Sequence, residues 1–178
     1  MKREVDGLTI ECMRGDIASQ SDIDAVVNAA NAQLRTGGGV AGAIHRAAGP
    51  GLEEECRPLA PIKPGEAVVT GAHKLPNDHV IHCLGPVYGR DKPEDEILAN
   101  CYRNALKLAE ENTLKSVAFP AISTGVFGYP VREAAEVALK TVLDEAPNLR
   151  YVELVRFVLY GENDLDVHEK VLLEFTGE

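Results

Sequence analysis

Short apolar runs alternate with segments of helical periodicity along most of the chain. Runs rich in β-branched and aromatic residues, or alternating apolar and polar residues, predict strands. They cover residues 8–13, 25–28, 67–70, 79–83, 116–119 and 152–160. Spacing of three and four residues between apolar positions predicts helices. These cover residues 40–48, a segment after Pro93, a segment after Pro130, and 164–175 with Asp164 as its N-cap.

Two of these helices show an apolar face in the sequence. After Pro93 the predicted face consists of Ile97, Cys101, Ala105 and Leu108. After Pro130 it consists of Ala134, Ala135, Ala138, Leu139 and Val142. Because strands and helices alternate in the second half of the chain, we predict an α/β domain whose mixed central sheet carries helices on both faces. Pro58, Pro61 and Pro64 predict a loop, and no linker or repeat divides residues 1–178, so we expect a single domain.

Size and composition agree with one globular domain. The chain has 178 residues, of which 45% are hydrophobic and 26% charged, as is ordinary for soluble proteins. Its formal net charge is -10, and such a chain repels long polyanions. We therefore expect no nucleic-acid partner. A small phosphate ligand stays possible, because backbone N–H groups alone can bind it.

Four cysteines occur without a closely spaced pair: Cys12, Cys56, Cys83 and Cys101. This spacing disfavours a thiolate zinc site and favours buried reduced thiols. The charged N-terminus lacks the apolar run of a secretion signal, and no stretch approaches the length of a membrane span. We expect a cytoplasmic protein with no membrane partner, no metal and no cofactor, and the oligomeric state stays open.

The first candidate for chemistry is the glycine run Gly37, Gly38 and Gly39, directly before the predicted helix at Val40. Adjacent glycines leave backbone N–H groups bare, and the positive end of the helix dipole points at them, so together they can hold an anion. Residues 37–42 also satisfy G-x-G-x-x-G. A dinucleotide-binding site is disfavoured, because that motif requires a tight turn after the strand and residues 28–36 separate the strand from the glycines. The alternative is a flexible turn.

The second candidate is the segment 123–130, which lies between a predicted strand and a predicted helix. It contains Ser123, Thr124, Gly125, Val126 and Phe127. Ligands bind at the carboxyl ends of strands in open α/β sheets, so this loop is well placed. An aromatic between glycines can stack on a sugar or base. The alternative for Phe127 is a hydrophobic plug between helix and sheet.

Two polar residues follow the first predicted strands. Asp16 can accept a hydrogen bond from an exocyclic amine such as that of adenine, although capping a turn is the commoner role for such a residue. Asn31 lies just before the glycine run, where its amide can contact sugar hydroxyls; the alternative is an Asx turn. Histidines His45 and His82 are interpreted as structural.

Together these motifs resemble the macro domain family. The resemblance rests on Gly15-Asp16-Ile17, on residues 27–31 (VNAAN), 37–49 (GGGVAGAIHRAAG), 65–67 (GEA), 80–82 (VIH) with 85–86 (GP), and 119–130 (FPAISTGVFGYP). These matches keep the family's order over nearly the whole chain and are closest to its stand-alone MacroD-type branch. The resemblance implies a three-layer α/β/α fold and binding of ADP-ribose or an ADP-ribosylated protein.

The same resemblance assigns ligand contacts. It places Asp16 and Ile17 near adenine, with Tyr160 packing on the base. It places the glycine loop and Val40 along the diphosphate and distal ribose, and Asn31 at the distal ribose hydroxyls, where it would position the reacting sugar. Residues 123–127 would surround the diphosphate, with Phe127 against the distal ribose. These contacts are expectations from the family.

Many MacroD-type members hydrolyse ADP-ribose esters, and their loop reads Gly-Val-Asp-Gly. Here it reads Gly39-Val40-Ala41-Gly42. Ala41 cannot deprotonate a water, and general-base help contributes about 10²–10⁴-fold. Active viral members share the alanine but often carry a histidine before the glycines, where this chain has Thr36. Four functions stay open: an ester hydrolase in which the substrate holds the water, a reader without turnover, a phosphatase on ADP-ribose 1″-phosphate and, least favoured, a nicotinamide oxidoreductase. A distant residue such as Asp91 or His168 would be another source of a base.

Overall fold

Strands and helices alternate in the structure as the hydrophobic pattern predicts. The computed structural model describes residues 1–177. Its strands are β1 Lys2–Val5, β2 Leu8–Arg14, β3 Ala25–Ala29, β4 Ala67–Gly71, β5 His79–Cys83, β6 Ser116–Phe119 and β7 Leu154–Leu159. Its α-helices are α1 Gly39–Ala48, α2 Pro50–Cys56, α3 Glu94–Glu111, α4 Val131–Glu145 and α5 Glu162–Thr176. Short 3₁₀ turns follow α2 at Arg57–Leu59 and α4 at Ala146–Asn148.

The strands form one mixed sheet in the order β1-β2-β7-β6-β3-β5-β4. The inner strands β2, β7, β6, β3 and β5 run parallel, and the edge strands β1 and β4 are antiparallel to their neighbours. Parallel strands are normally covered on both faces, and this is the case here. One hydrophobic cluster includes residues of α3, α4 and α5. A second, on the opposite face, includes residues of α1 and α2. The three-layer α/β/α prediction is confirmed.

Most predicted elements are confirmed, with local corrections. The predicted N-cap Asp164 is wrong: α5 begins at Glu162 after Gly161, and Asp164 lies in its first turn. The predicted face of α3 is rotated, since Leu98, Tyr102 and Leu106 are buried whereas Ile97 and Leu108 are only partly so. In α4 all the predicted face residues are buried. The four cysteines are buried and free, as expected.

Two elements have no counterpart in the sequence prediction. Strand β1 consists mainly of charged residues, and it is held by pairing with β2 rather than by an apolar face of its own. Helix α2 begins at Pro50, directly after Gly49 ends α1 with a positive φ of 87°. Proline is well suited to the first position of a helix, but the preceding glycine and the proline together read as a stop signal. Within residues 1–177 no helix has the length and hydrophobicity needed to cross a membrane.

Candidate active site

The carboxyl ends of the parallel strands meet at one edge of the sheet and bring the candidate residues together. Arg14 at the end of β2 pairs with Leu159 at the end of β7. The N–H of Gly15 donates to the carbonyl of Leu159 at 3.0 Å. Asp16 and Tyr160, which are 144 positions apart in the chain, therefore follow adjacent strand ends. Parallel topology places both predicted adenine contacts at the same corner of the molecule.

The glycine run leads directly into α1 without a side-chain cap. Gly38 is the N-cap residue and makes no side-chain hydrogen bond, and no acidic residue lies in the first turn. The N–H groups of Gly39, Val40 and Ala41 donate to no acceptor in the described part of the chain. The first N–H groups of a helix lack intrahelical partners, and the helix dipole makes that end positive. This helix start is suited to an anion.

The shape of this loop depends on Gly42, one turn into the helix. A Cβ atom at Gly42 would collide with the carbonyl oxygen of Gly37 and lie 2.9 Å from a guanidinium nitrogen of Arg46. By contrast, Cβ atoms at Gly38 and Gly39 would meet nothing within 4 Å. In the sequence, Gly42 is noticeable only as part of a motif. In the structure, the absence of a side chain at Gly42 allows the carbonyl of Gly37 to approach the helix closely.

The loop between β6 and α4 is held in shape by its own hydrogen bonds. The N–H of Tyr129 donates to the carbonyl of Ser123 at 2.9 Å, and the hydroxyl of Thr124 donates to the carbonyl of Ala121 at 2.8 Å. Ser123 adopts a positive φ of 70°, which is uncommon for a residue with a side chain and costs free energy. Such strain persists only where the surroundings enforce it.

These bonds leave the tip of the loop open. The N–H groups of Gly125, Val126 and Phe127 donate to no acceptor among residues 1–177. Val126 is completely exposed, although it is apolar. Consecutive unpartnered N–H groups form an anion-binding concavity like that at the start of α1. Among the described residues, the start of α1 and the tip of this loop thus both present unpartnered donors at the carboxyl edge of the sheet.

Both donor groups lie next to residues that pack on the same hydrophobic cluster. Ile17 is buried in the cluster beneath α1 and α2, and Val40 and Phe127 pack against it from the rim. Ile17 comes from the loop after β2, Val40 from the first turn of α1 and Phe127 from the loop after β6. Phe127 is partly buried. One part of its ring therefore packs against the protein, as the plug hypothesis expects, and another part stays accessible to a ligand. The convergence of these three segments defines the candidate site.

Asp16 and Asn31 each make local hydrogen bonds in the structure. Asp16 Oδ1 accepts from the N–H of Ala18 at 2.9 Å, which is the turn-capping role. Asn31 Oδ1 accepts from the N–H of Arg35 at 3.0 Å, and its Nδ2 donates to the Arg35 carbonyl at 2.8 Å. The second pair of bonds closes the loop that leads to the glycines. Ligand contacts from these residues remain predictions.

Tyr160 is the most exposed aromatic of the site. Its side chain is 90% exposed, immediately after the end of β7. The guanidinium of Arg14 donates to its backbone carbonyl at 3.3 Å, which links it to the neighbouring β2. A large aromatic that packs on nothing in the protein is available to stack on a planar ligand.

Ala41 supplies no carboxylate at the start of α1, and Asp91 and His168 are the distant candidates for a base. Ala41 is 6% exposed and presents only a methyl group in the first turn of α1. Asp91 Oδ2 accepts from the N–H of Val87 at 2.8 Å and thus closes its own loop. His168 lies in α5 against Phe157, in the layer on the opposite face of the sheet from α1. The geometry disfavours both as catalytic bases.

A buried polar group supports the cleft from below. His82 Nε2 lies 3.0 Å from the hydroxyl of Thr70, which itself donates to the Gly71 carbonyl, so the ring nitrogen must be the donor. His82 Nδ1 then accepts from the amide of Asn28 at 3.1 Å. Burial lowers the pKa of His82 to about 3, and burial also lowers the pKa of His45. His82 therefore has a structural role in the described fold, whereas Nε2 of the buried His45 has no hydrogen-bond partner among residues 1–177.

The protein is thus a three-layer α/β/α sheet protein with unpartnered N–H donors in two segments at the carboxyl edge of its sheet. The family model for the macro domain matches residues 27–138. The chain belongs to the macro domain family, and the resemblance inferred from the sequence motifs is confirmed.

Relatives extend this assignment over almost the whole chain. A macro domain-containing protein of Chlorobaculum tepidum is 49% identical over 168 residues, covering 94% of this chain and 97% of that protein. The O-acetyl-ADP-ribose deacetylase of Salmonella typhimurium is 48% identical over 170 residues, covering 93% and 94%. The Oceanobacillus iheyensis macrodomain, solved with ADP, has a TM-score of 0.95 and 40% identity, covering 99% and 96%.

Proposed function

We propose that this protein binds ADP-ribose in the cleft formed by the loops after β2, β3, β6 and β7. The proposal is carried by one observation: two groups of unpartnered N–H donors rest on a shared hydrophobic cluster. A diphosphate presents oxygens on two sides and matches two such donor groups. The relatives solved with ADP or named for O-acetyl-ADP-ribose support the same ligand.

The remaining contacts follow from the positions of the side chains. Tyr160 would stack on adenine, and the free carboxylate oxygen of Asp16 would accept from its amine. Phe127 and Asn31 would flank the distal ribose. In this proposal residues 1–178 form one domain, and the protein acts in the cytoplasm without a resident cofactor or metal.

We further propose that the protein hydrolyses ADP-ribose esters, either O-acetyl-ADP-ribose or mono-ADP-ribosylated aspartate and glutamate side chains. A water held by a ligand phosphate would attack the acyl carbon, the ester bond to the ribose oxygen would break, and that oxygen would take up a proton. The products are ADP-ribose and the free carboxylic acid. The protein contributes position rather than a base, since Ala41 has no ionisable group. The deacetylase relatives support this reaction.

Ala41 also supports a second function, a reader that binds ADP-ribose without turnover. Loss of general-base catalysis slows a reaction by about 10²–10⁴-fold. A protein slowed to this extent can still bind ADP-ribose while its turnover becomes negligible. The two functions share the cleft and differ only in the fate of the ester.

The two functions are separated by measuring binding and release in parallel. Purified protein is titrated with ADP-ribose by calorimetry and incubated with O-acetyl-ADP-ribose and with an aspartate/glutamate-ADP-ribosylated protein. Binding with release supports the hydrolase. Binding without release supports the reader. Absence of ADP-ribose binding would contradict the assignment of the cleft.

A further inference from the structure

A second cavity lies on the outer side of the loop that joins β3 to α1. Its volume is about 390 Å³, within the roughly 300–1,000 Å³ of ligand pockets. Its walls come from this loop, from α2 and from the 3₁₀ turn after it. They consist of Gln33, Leu34, Arg35, Glu53, Arg57 and Ala60.

The walls of this cavity carry two guanidinium groups without a carboxylate partner. Neither Arg35 nor Arg57 forms an ion pair within 4.0 Å of any acidic group in the described range, although Glu53 lines the same cavity. Both arginines are exposed at the surface. In a chain with a net charge of -10, two unpaired arginines on one cavity form a local positive site. Guanidinium groups bind carboxylates with paired, charge-assisted hydrogen bonds.

The cavity shares a wall with the proposed ribose site. Asn31, the proposed contact to the distal ribose, bonds through both atoms of its amide to the backbone of Arg35. The loop is further fixed by the buried side chain of Leu34, which is 1% exposed, and by a bond of 2.9 Å from the Ile62 N–H to the Ala32 carbonyl. With the distal ribose at Asn31, as proposed above, the same short loop borders both the ribose and the cavity.

We propose that the cavity binds acidic residues that flank the modified side chain of an ADP-ribosylated protein. Two or three extended residues span roughly 7–11 Å, so a carboxylate that close in sequence can reach from the ribose to Arg35 and Arg57. This inference rests on the proposed function and narrows its substrate class to acidic protein segments. The acetyl ester of ADP-ribose has no such flank and does not use the cavity.

The test compares two synthetic peptides that carry ADP-ribose on one glutamate. One has aspartates two and three residues away on both sides, and the other has asparagines there. For the wild type we expect about 3–10-fold tighter binding and faster release with the acidic peptide. Arg57→Gln is expected to remove most of that preference, and Glu53→Gln to increase it. Salt is expected to weaken it, because exposed charges are screened beyond about 10 Å at 0.1 M.

Two controls make the outcome specific. Arg150→Gln changes an exposed arginine before the amino end of β7, whereas the proposed site lies at the carboxyl ends of the strands. This variant is expected to keep the preference for the acidic peptide. ADP-ribose affinity and O-acetyl-ADP-ribose turnover are expected to be equal in the wild type and Arg57→Gln.

If free ADP-ribose binds and the two peptides behave alike, this inference is wrong and the proposed function stands. If ADP-ribose does not bind, both are wrong. If the peptides bind but no ADP-ribose is released, the inference is tested by affinity alone: tighter binding of the acidic peptide supports it, and equal binding contradicts it.

Discussion

Ala41 and Thr36 leave open the choice between hydrolase and reader, because neither side chain can act as a general base. Ala41 lies in the first turn of α1 and is 6% exposed. A methyl group there can neither orient nor deprotonate a water. The position of Ala41 is therefore the one at which a carboxylate would distinguish the two functions.

Replacing Ala41 by aspartate is expected to increase ester hydrolysis by about 10²–10⁴-fold, the typical contribution of general-base catalysis. The helix dipole favours a carboxylate in the first turn, so the fold tolerates it. The measurement is the rate of acetate release from O-acetyl-ADP-ribose under saturating substrate. Ala41→Asn has a similar shape without a base and is expected to give no such gain. Equal rates in Ala41→Asp and wild type, with binding retained, would contradict this account.

Tyr160 is expected to contribute to affinity and not to stability. Stacking of an aromatic on a base is worth roughly 1–3 kcal/mol, so Tyr160→Ala is expected to weaken ADP-ribose binding by about 5–100-fold. Because the ring is 90% exposed, its loss changes stability by less than about 0.5 kcal/mol. Calorimetry and thermal unfolding measure the two effects. Tyr151→Ala, at the amino end of β7, serves as the control and is expected to leave binding unchanged.

At the scale of elements, the start of α1 and the glycine loop form one unit held together at Gly42. Gly42→Ala forces a methyl group against the Gly37 carbonyl, and overpacking of this kind typically costs about 1–3 kcal/mol. We expect lower stability and at least tenfold weaker ADP-ribose binding, because the N–H donors move with the loop. Urea unfolding and calorimetry measure both.

Gly38→Ala is the matched control for this substitution. A Cβ there meets nothing within 4 Å, and φ is -87°, a value that alanine adopts freely. Its stability is expected to stay within about 0.5 kcal/mol of wild type. Equal stability of the Gly42→Ala and Gly38→Ala proteins would show that the close approach at Gly37 is not what shapes the loop.

For the whole molecule, the buried His82 makes stability depend on pH. Its pKa is about 3 in the folded chain, below the ordinary value of 6.5, because burial disfavours the charged ring. The unfolded chain therefore binds an extra proton between pH 6.5 and 3. The contribution of His82 is fully present above pH 6.5 and decreases as pH falls through this window, by up to about 1.4 kcal/mol per pH unit.

Urea unfolding at pH 7.5, 6.5 and 5.5 is expected to show this loss. Burial lowers the pKa values of His45 and His168 as well, so their contributions have the same sign. His82→Gln is expected to be less stable at pH 7.5 but to lose less stability between pH 6.5 and 5.5. If the variant shows the same pH slope as wild type, His82 is not a source of the dependence.

The sequence by itself determined the order of the main strands and helices and the family. Periodicity is a local property, and in α4 every residue that it predicted to be buried is buried, although it did not indicate the buried Thr141. Gly37–Gly39 and residues 123–127 were predicted as ligand-binding loops because they lie between a strand and a helix, where glycines free the backbone. β1 and α2 were not predicted, since the first depends on pairing with β2 and the second on a glycine-proline junction that usually ends structure.

Only the tertiary structure decided which residues share a site. Parallel pairing of β2 with β7 places Asp16 beside Tyr160, and a common cluster brings Ile17, Val40 and Phe127 together. The clash that Gly42 avoids, and the cavity between Arg35 and Arg57, also join atoms whose closeness no local pattern encodes. The physical reason is that side-chain periodicity reports burial within one element, whereas sheet order and loop packing arise from contacts between elements distant in sequence.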